Sequence, residues 1–142
     1  MRVPILSAIW FALFLNSSDL ALGQVSEATL VSAGKNRTQI EEALAKVPLQ
    51  QRGGIEFLVR NMPQRDLNSL SAEYLLKNTR LAYQSWREDP WAKSVPKEIF
   101  LNNVLPYASI NERRDDWRGD FRQRFLPLVK KAKTTGEAAT IL

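Results

Sequence analysis

The chain has 142 residues, of which 44% are hydrophobic and 25% are charged, so we expect one globular domain rather than a disordered polypeptide. It contains no Cys and no His, which excludes disulfides, Cys-containing zinc sites and any mechanism in which an imidazole activates a nucleophile. The net charge of +5 raises the question of an anionic partner.

The first 23 residues are typical of an export signal. Arg2 precedes an apolar run from Val3 to Leu15, and small residues at Ala21 and Gly23 follow it. We predict cleavage after Gly23. The alternative is a membrane anchor, but an apolar run of about 13 residues is shorter than the roughly 20 that a spanning helix needs. The mature protein is therefore expected in the periplasm or outside the cell, with no membrane contact beyond the signal peptide.

Helical periodicity begins after a polar segment. Residues 24–37 are rich in small and polar side chains, and we interpret them as a linker, with a short helix as the alternative. Thr38 and Glu41 have the spacing of a capping box, which predicts a helix that ends near Pro48.

Three helices are predicted in the middle of the chain. Apolar residues recur at helical spacing over residues 55–62, and Pro63 ends this helix. Ser71 is the expected cap of the longest helix, which ends at Asp89-Pro90. A shorter helix follows from Pro96 to Leu105. Its side chains expected to face the core are Ile99, Phe100, Val104 and Leu105.

Two further helices are predicted near the end of the sequence. The first runs from Asn111 or Glu112 to Lys131, with an expected kink at Pro127. Its apolar residues share one face: Trp117, Phe121, Phe125 and Leu128. Its charged residues are expected on the other face, solvated and paired with one another. Thr135 is the expected cap of a final helix that begins at Gly136.

The whole pattern predicts an all-α fold, a small irregular domain of about five to six helices over residues 38–142. No segment shows the sustained two-residue alternation of a β-strand. We find no internal repeat and no low-complexity tract.

The sequence contains no convincing catalytic or metal-binding group. The clustered carboxylates of Glu112, Asp115 and Asp116 could in principle form an acid–base pair or a calcium site, but neighbouring arginines would keep all three ionised. A Ser–Lys pair stays open as a less favoured possibility. We therefore predict no cofactor and no metal, and we do not expect this chain to be an enzyme.

The basic second half could indicate an anionic partner such as nucleic acid or an acidic glycan. Carboxylates interspersed among the basic residues argue against nucleic acid, because they would repel phosphates. The four aromatic residues Trp86, Trp91, Tyr107 and Trp117 could stack on a sugar or peptide, although core packing is their commoner role. Trp91 is the best candidate for a partner contact, should it be exposed.

Several segments, taken in order, resemble the N-terminal region of bacterial transglutaminase-like proteins. Residues 105–118, LPYASINERRDDWR, resemble a block that lies upstream of the catalytic core in that family. The other segments that share the resemblance are 57–67, which contains NMP-x-x-D, 100–104, 126–129 and 134–139. Together they extend over roughly residues 45 to 142.

The resemblance implies a helical region that packs against a Cys-His-Asp core. Because this chain has neither Cys nor His, it cannot itself carry that reaction. We expect a catalytically silent region, separated from its core by truncation or gene fragmentation, whose partner is that missing core in cis or in trans. The alternative is a stand-alone secreted helical module that binds a peptide, a glycan or an acidic polymer. No oligomeric state is predicted.

The resemblance places the candidate interface with the core at the 111–118 block and at Trp91. Its residues are Asn111, Glu112, Arg114, Asp116, Trp117, Arg118 and Trp91. The alternative interpretation of the block is a helix N-terminus. Asn111 would be its cap, and Arg114 and Arg118 would pair with neighbouring acids.

Overall fold

The computed structural model of the protein describes residues 24–109 and 112–142, and in these ranges every regular element is helical. The all-α prediction is confirmed. The predicted export signal, residues 1–23, lies outside the described residues. Within the described ranges, no helix has both the length and the apolar character needed to cross a bilayer.

Eight α-helices follow one another along the described chain. They are α1 (Glu27–Ser32), α2 (Arg37–Lys46), α3 (Arg52–Asn61), α4 (Gln64–Leu67), α5 (Ala72–Glu88), α6 (Lys97–Ile99), α7 (Trp117–Val129) and α8 (Thr135–Ile141). Short 3₁₀ turns occur at Gly34–Asn36, Leu49–Gln51 and Pro90–Ala92, and α6 continues as a π-helical turn over Phe100–Val104.

The hydrophobic core lies where α2, α3 and α5 meet. Its largest fully buried apolar side chains are Ile40, Ile55, Leu75, Phe100 and Leu105. Burying a side chain of this size is worth about 1.5–3 kcal/mol, so this cluster dominates the stability of the domain. The periodicity that predicted these three helices is confirmed, since their apolar stripes face one another.

Close packing of α3 on α5 depends on Gly54. A Cβ atom at this position would lie 2.6 Å from Cε2 of Tyr83, well inside van der Waals contact. The backbone of α3 can therefore approach the Tyr83 ring only because residue 54 has no side chain.

Residues 24–37, interpreted from the sequence as a linker, carry α1 and a 3₁₀ turn that contact the rest of the domain. Ala33 is fully buried in the main core. The Asn36 side-chain amide donates hydrogen bonds to the carbonyls of Leu67 and Leu70, both at 2.9 Å. The short-helix alternative therefore describes this segment better than a linker does.

Helix starts are partly as predicted. Ser71 caps α5, because its Oγ accepts a hydrogen bond from the Tyr74 N–H at 3.1 Å. The other two caps were predicted one or two residues too late. Asn36, not Thr38, precedes α2, and α8 is capped by Thr134 rather than Thr135, through a 3.1 Å bond from the Glu137 N–H.

The prediction that Ile99 faces the core is wrong, since 48% of this residue is exposed. A π-helical turn follows α6, in which the Leu105 N–H donates to the Phe100 carbonyl at 2.8 Å. This i→i+5 repeat places Phe100 and Leu105 on the same face. Phe100 and Leu105 are fully buried, and Ile99 lies outside the buried stripe.

Helix α7 differs from its prediction in both its start and its orientation. It begins at Trp117 rather than at residue 111 or 112, and residues 112–116 are not helical. Pro127 lies inside it, and the helix ends two residues later at Val129. The expected solvated charged face holds for the exposed Asp120–Arg124 ion pair. It is wrong for Arg118 and Arg122, which point toward α5 while phenylalanines are exposed.

Candidate docking surface on helix α7

Arg118 joins the start of α7 to α5 and to the turn after α6. Its Nε donates to Oδ1 of Asn78 at 2.9 Å, and its Nη2 donates to the carbonyls of Val104 and Pro106 at 2.8 and 2.9 Å. No carboxylate is among its hydrogen-bond partners in the described chain. Burial therefore lowers the pKa of Arg118 to about 10, which still leaves the guanidinium charged at neutral pH.

Arg122, one turn further along, holds α7 against the end of α5. Its Nη1 donates to Oγ of Ser85 at 2.8 Å and to Oδ2 of Asp89 at 3.0 Å. Asp89 is buried, and only 17% of the Arg122 side chain is exposed. Both ions are thus largely removed from water and paired with each other, which is the arrangement that buried charges need.

Arg114 secures the segment that leads into α7. Its Nη2 and Nε donate to Oδ2 of Asp66 at 2.7 and 2.9 Å, and the Tyr107 hydroxyl donates to the same oxygen at 2.9 Å. Burial by itself would raise the pKa of the Asp66 carboxyl, but the hydrogen bonds from Arg114 and Tyr107 outweigh it, and the net pKa is lowered. Burial, together with the bond to Asp66, raises the pKa of Tyr107 well above its usual value.

These contacts turn the apolar side of α7 outward. We call this the α7 aromatic face; it consists of Trp117, Phe121, Phe125 and Leu128. The exposed fractions of the last three residues are 49%, 37% and 57%. Trp117 is partly buried, and its indole N–H donates to the Tyr107 carbonyl at 2.7 Å.

Each aromatic ring of this face contacts the next one along the helix. The Trp117 and Phe121 ring centroids are 5.3 Å apart in an edge-to-face arrangement, and Phe121 and Phe125 repeat that distance. Such pairs add roughly 0.5–1.5 kcal/mol beyond area burial. They make the face one continuous apolar surface rather than scattered exposed residues, and contiguous surfaces of this kind mark interaction sites.

A basic segment follows the α7 aromatic face. Lys130, Lys131 and Lys133 form no ion pair with any residue in the part of the chain that the structure describes. Arg124, by contrast, pairs with Asp120 at 2.8 Å. The face is therefore bordered at its C-terminal end by positive charge.

Most of the predicted interface residues lie in one region, but several of them form contacts within the domain. Asp116 pairs with Lys77, and Oε2 of Glu112 accepts a hydrogen bond from the Ser109 N–H at 2.8 Å. Asn111 lies outside the described residues. The alternative interpretation, with arginines paired to nearby acids, is wrong for Arg114, whose partner Asp66 is 48 residues away.

Trp91 lies away from this block. It packs against a small cluster formed by Val129, Ala132 and Ala138, and its carbonyl accepts a hydrogen bond from Oγ1 of Thr135 at 2.9 Å. Its indole nitrogen is buried and has no hydrogen-bond partner in the described chain. Trp91 thus helps to pack α8 against the 3₁₀ turn, and a role in contacting a partner stays a prediction.

Sequence reasoning missed the acceptors that orient α7: Asp66, Asn78 and Asp89. One signal was present, since Asn78 falls on the apolar stripe of α5 between Leu75 and Ala82 and is buried there. A polar residue on an apolar stripe requires a buried partner. Among the described residues, no three or more Asp and Glu side chains lie close enough together to hold a metal ion.

Comparisons with protein-family models, curated proteins and solved structures gave no match to this chain.

Proposed function

We propose that this chain is a non-catalytic helical domain that packs, through the α7 aromatic face, against a catalytic domain of the transglutaminase-like class. The observation that carries the proposal is the orientation of α7, which turns arginines toward its own domain and phenylalanines toward solvent. The sequence resemblance supplies the class of the partner. The absence of Cys and His from the chain agrees with a supporting rather than a catalytic role.

The energetics favour a covered face. Burying a Phe or Leu side chain is worth about 1.5–3 kcal/mol, so leaving several exposed on one helix forgoes much of the stabilisation available to a small domain. A helix free to rotate would turn this face inward. Arg118 and Arg122 prevent that rotation, because each has fixed acceptors on α5.

The same arginines make the face rigid before a partner binds. A surface that is already ordered loses less conformational entropy on association than a flexible one does. The exposed phenylalanines would then act as the central apolar contacts, with the lysines after α7 at the rim.

A binding experiment tests the proposal. The purified chain would be titrated by calorimetry against the transglutaminase-like catalytic domains encoded in the same genome. We expect one of them to bind the chain, and the double variant Phe121→Ser/Phe125→Ser to lose that binding. The matched control is Leu49→Ser/Ile99→Ser, which removes two other exposed apolar side chains, 81% and 48% exposed, outside the α7 aromatic face.

Two results would contradict the proposal. The first is that none of these domains binds the chain. The second is that both double variants bind as well as the unmodified chain does, which would place the interface elsewhere.

A further inference from the structure

A groove of about 640 Å³ opens beside α3 and the C-terminal half of α5, and none of its lining residues belongs to the α7 aromatic face. This volume falls within the roughly 300–1,000 Å³ of small-ligand sites. The residues that give the groove its chemistry are Arg52, Glu56, Tyr83, Trp86, Arg87 and Lys97.

The charge of the groove is positive once its internal ion pair is considered. Arg52 Nε lies 3.0 Å from Oε1 of Glu56, whose side chain is only 9% exposed, so this carboxylate is already neutralised. Arg87 and Lys97 have no carboxylate partner in the described chain. Two cations therefore stay available for an anionic group.

Arg87 is held in place rather than free in solvent. Its Nη2 donates to the Gln50 carbonyl at 3.0 Å, and its guanidinium carbon lies 4.9 Å from the Tyr83 ring centroid. Because only part of its N–H groups donate to the protein itself, the guanidinium can bind a carboxylate through the others.

Trp86 forms a rigid apolar wall of the groove. Its ring stacks on Phe100 with centroids 4.2 Å apart and planes 10° apart, and its indole N–H donates to the Val95 carbonyl at 2.8 Å. Because that polar group is already satisfied, the partly exposed indole offers a ligand only apolar surface.

We propose that this groove binds an acidic oligosaccharide through a uronic acid residue. The C–H face of the sugar ring would lie against the exposed part of the Trp86 indole, beside the Arg87 guanidinium, whose carbon is 6.0 Å from the Trp86 ring centroid. Its carboxylate would be bound by Arg87 and Lys97. A uronic acid carries a flat C–H face and a carboxylate on one ring, which matches a groove that is lined by an indole and two cations. The inference does not depend on the function proposed for α7.

The test uses trigalacturonate as the probe and follows the tryptophan fluorescence of the purified protein. We expect saturable binding, and no binding of the methyl-esterified trisaccharide, which keeps the rings and lacks the charges. Arg87→Gln/Lys97→Gln should weaken binding about tenfold or more, as expected for the loss of charge-assisted hydrogen bonds. The control Lys35→Gln/Lys93→Gln removes the same charge at two exposed residues outside the groove and should leave the affinity unchanged.

Several outcomes would overturn this assignment. Equal binding of the ester would show that the carboxylate is not recognised. An equal loss in the control variant would show that binding follows net charge alone. Tighter binding of an acidic tripeptide such as Glu-Glu-Phe, with the same dependence on Arg87 and Lys97, would assign the groove to peptides instead.

Discussion

The Nη2 atom of Arg114 lies 2.7 Å from Oδ2 of Asp66, so a buried carboxylate fixes the segment that leads into α7. Only 1% of the Asp66 side chain is exposed. Since Tyr107 donates to the same carboxylate, a single residue of α4 orients both the loop before the 112–118 segment and that segment itself.

Asp66 is expected to give the domain an acid-sensitive stability. Its pKa is lowered in the folded protein, so its stabilising effect is present above about pH 4, the ordinary pKa of an Asp in an unfolded chain, and is lost as the pH falls through the lower folded value. Urea unfolding at a series of pH values should show this fall. Asp66→Asn should lower the free energy of unfolding at pH 7 by about 1–3 kcal/mol and flatten its dependence on pH. An unchanged acid dependence in this variant would show that other carboxylates are responsible.

Replacing Arg118 should lower the stability of the domain, even when the new residue is Lys. Its guanidinium serves three acceptors on Asn78, Val104 and Pro106, and a lysine ammonium cannot reproduce that fork geometry. We expect Arg118→Lys and Arg118→Met each to cost about 1.5–3 kcal/mol in the free energy of unfolding. Arg113→Lys is the control, because 88% of that side chain is exposed. Full stability of Arg118→Lys would mean that only the charge matters.

Gly54 and Gly119 should respond in opposite ways to replacement by Ala. At residue 54 the new methyl group would meet the Tyr83 ring at 2.6 Å, whereas at residue 119 the nearest atom, Cε of Lys77, is 3.7 Å away. Overpacking should cost Gly54→Ala about 1–3 kcal/mol. Gly119→Ala should be neutral or stabilise by up to about 1 kcal/mol, because Ala is the better helix former. Thermal melts of the two variants measure this, and equal melting temperatures would argue against close packing at Gly54.

Export can be tested directly. Expressed in a bacterium with its own N-terminus, the protein should appear in the periplasmic fraction or the medium, and its mature form should begin at Gln24. Mass spectrometry of the secreted chain checks the cleavage position. Retention of the intact N-terminus in the cytoplasm would show that residues 1–23 are not an export signal.

The fold was predictable where local pattern and tertiary packing agree. Helices α2, α3 and α5 carry apolar residues at helical spacing, and those residues form the core. The orientation of α7 was not predictable in this way. Its arginines bind Asn78 and Asp89, which are 40 and 33 residues away, so no spacing within α7 reveals those partners. Periodicity identifies an apolar face but does not say whether its own domain covers it.

The interface predicted at residues 111–118 and Trp91 stays a prediction. The block that ends at Arg118 leads into the α7 aromatic face, and Arg114 and Arg118 form hydrogen bonds with side chains of their own domain. Asp66 belongs to a segment that the resemblance includes, and nothing in the sequence singled it out as the acceptor for Arg114. Long-range pairs of buried ions depend on the three-dimensional fold, which a single sequence does not display.

The most direct measurement compares the unfolding free energies of Phe121→Ser/Phe125→Ser and Arg122→Ser. If α7 turns its arginines inward, the double Phe variant should lose only the ring–ring contacts along the exposed face, about 1–2 kcal/mol. Arg122→Ser should lose about 2–4 kcal/mol, because it leaves the buried Asp89 carboxylate unpaired. The reverse result, a loss of several kcal/mol for the phenylalanines and none for Arg122, would contradict the outward orientation of the α7 aromatic face and with it the docking role.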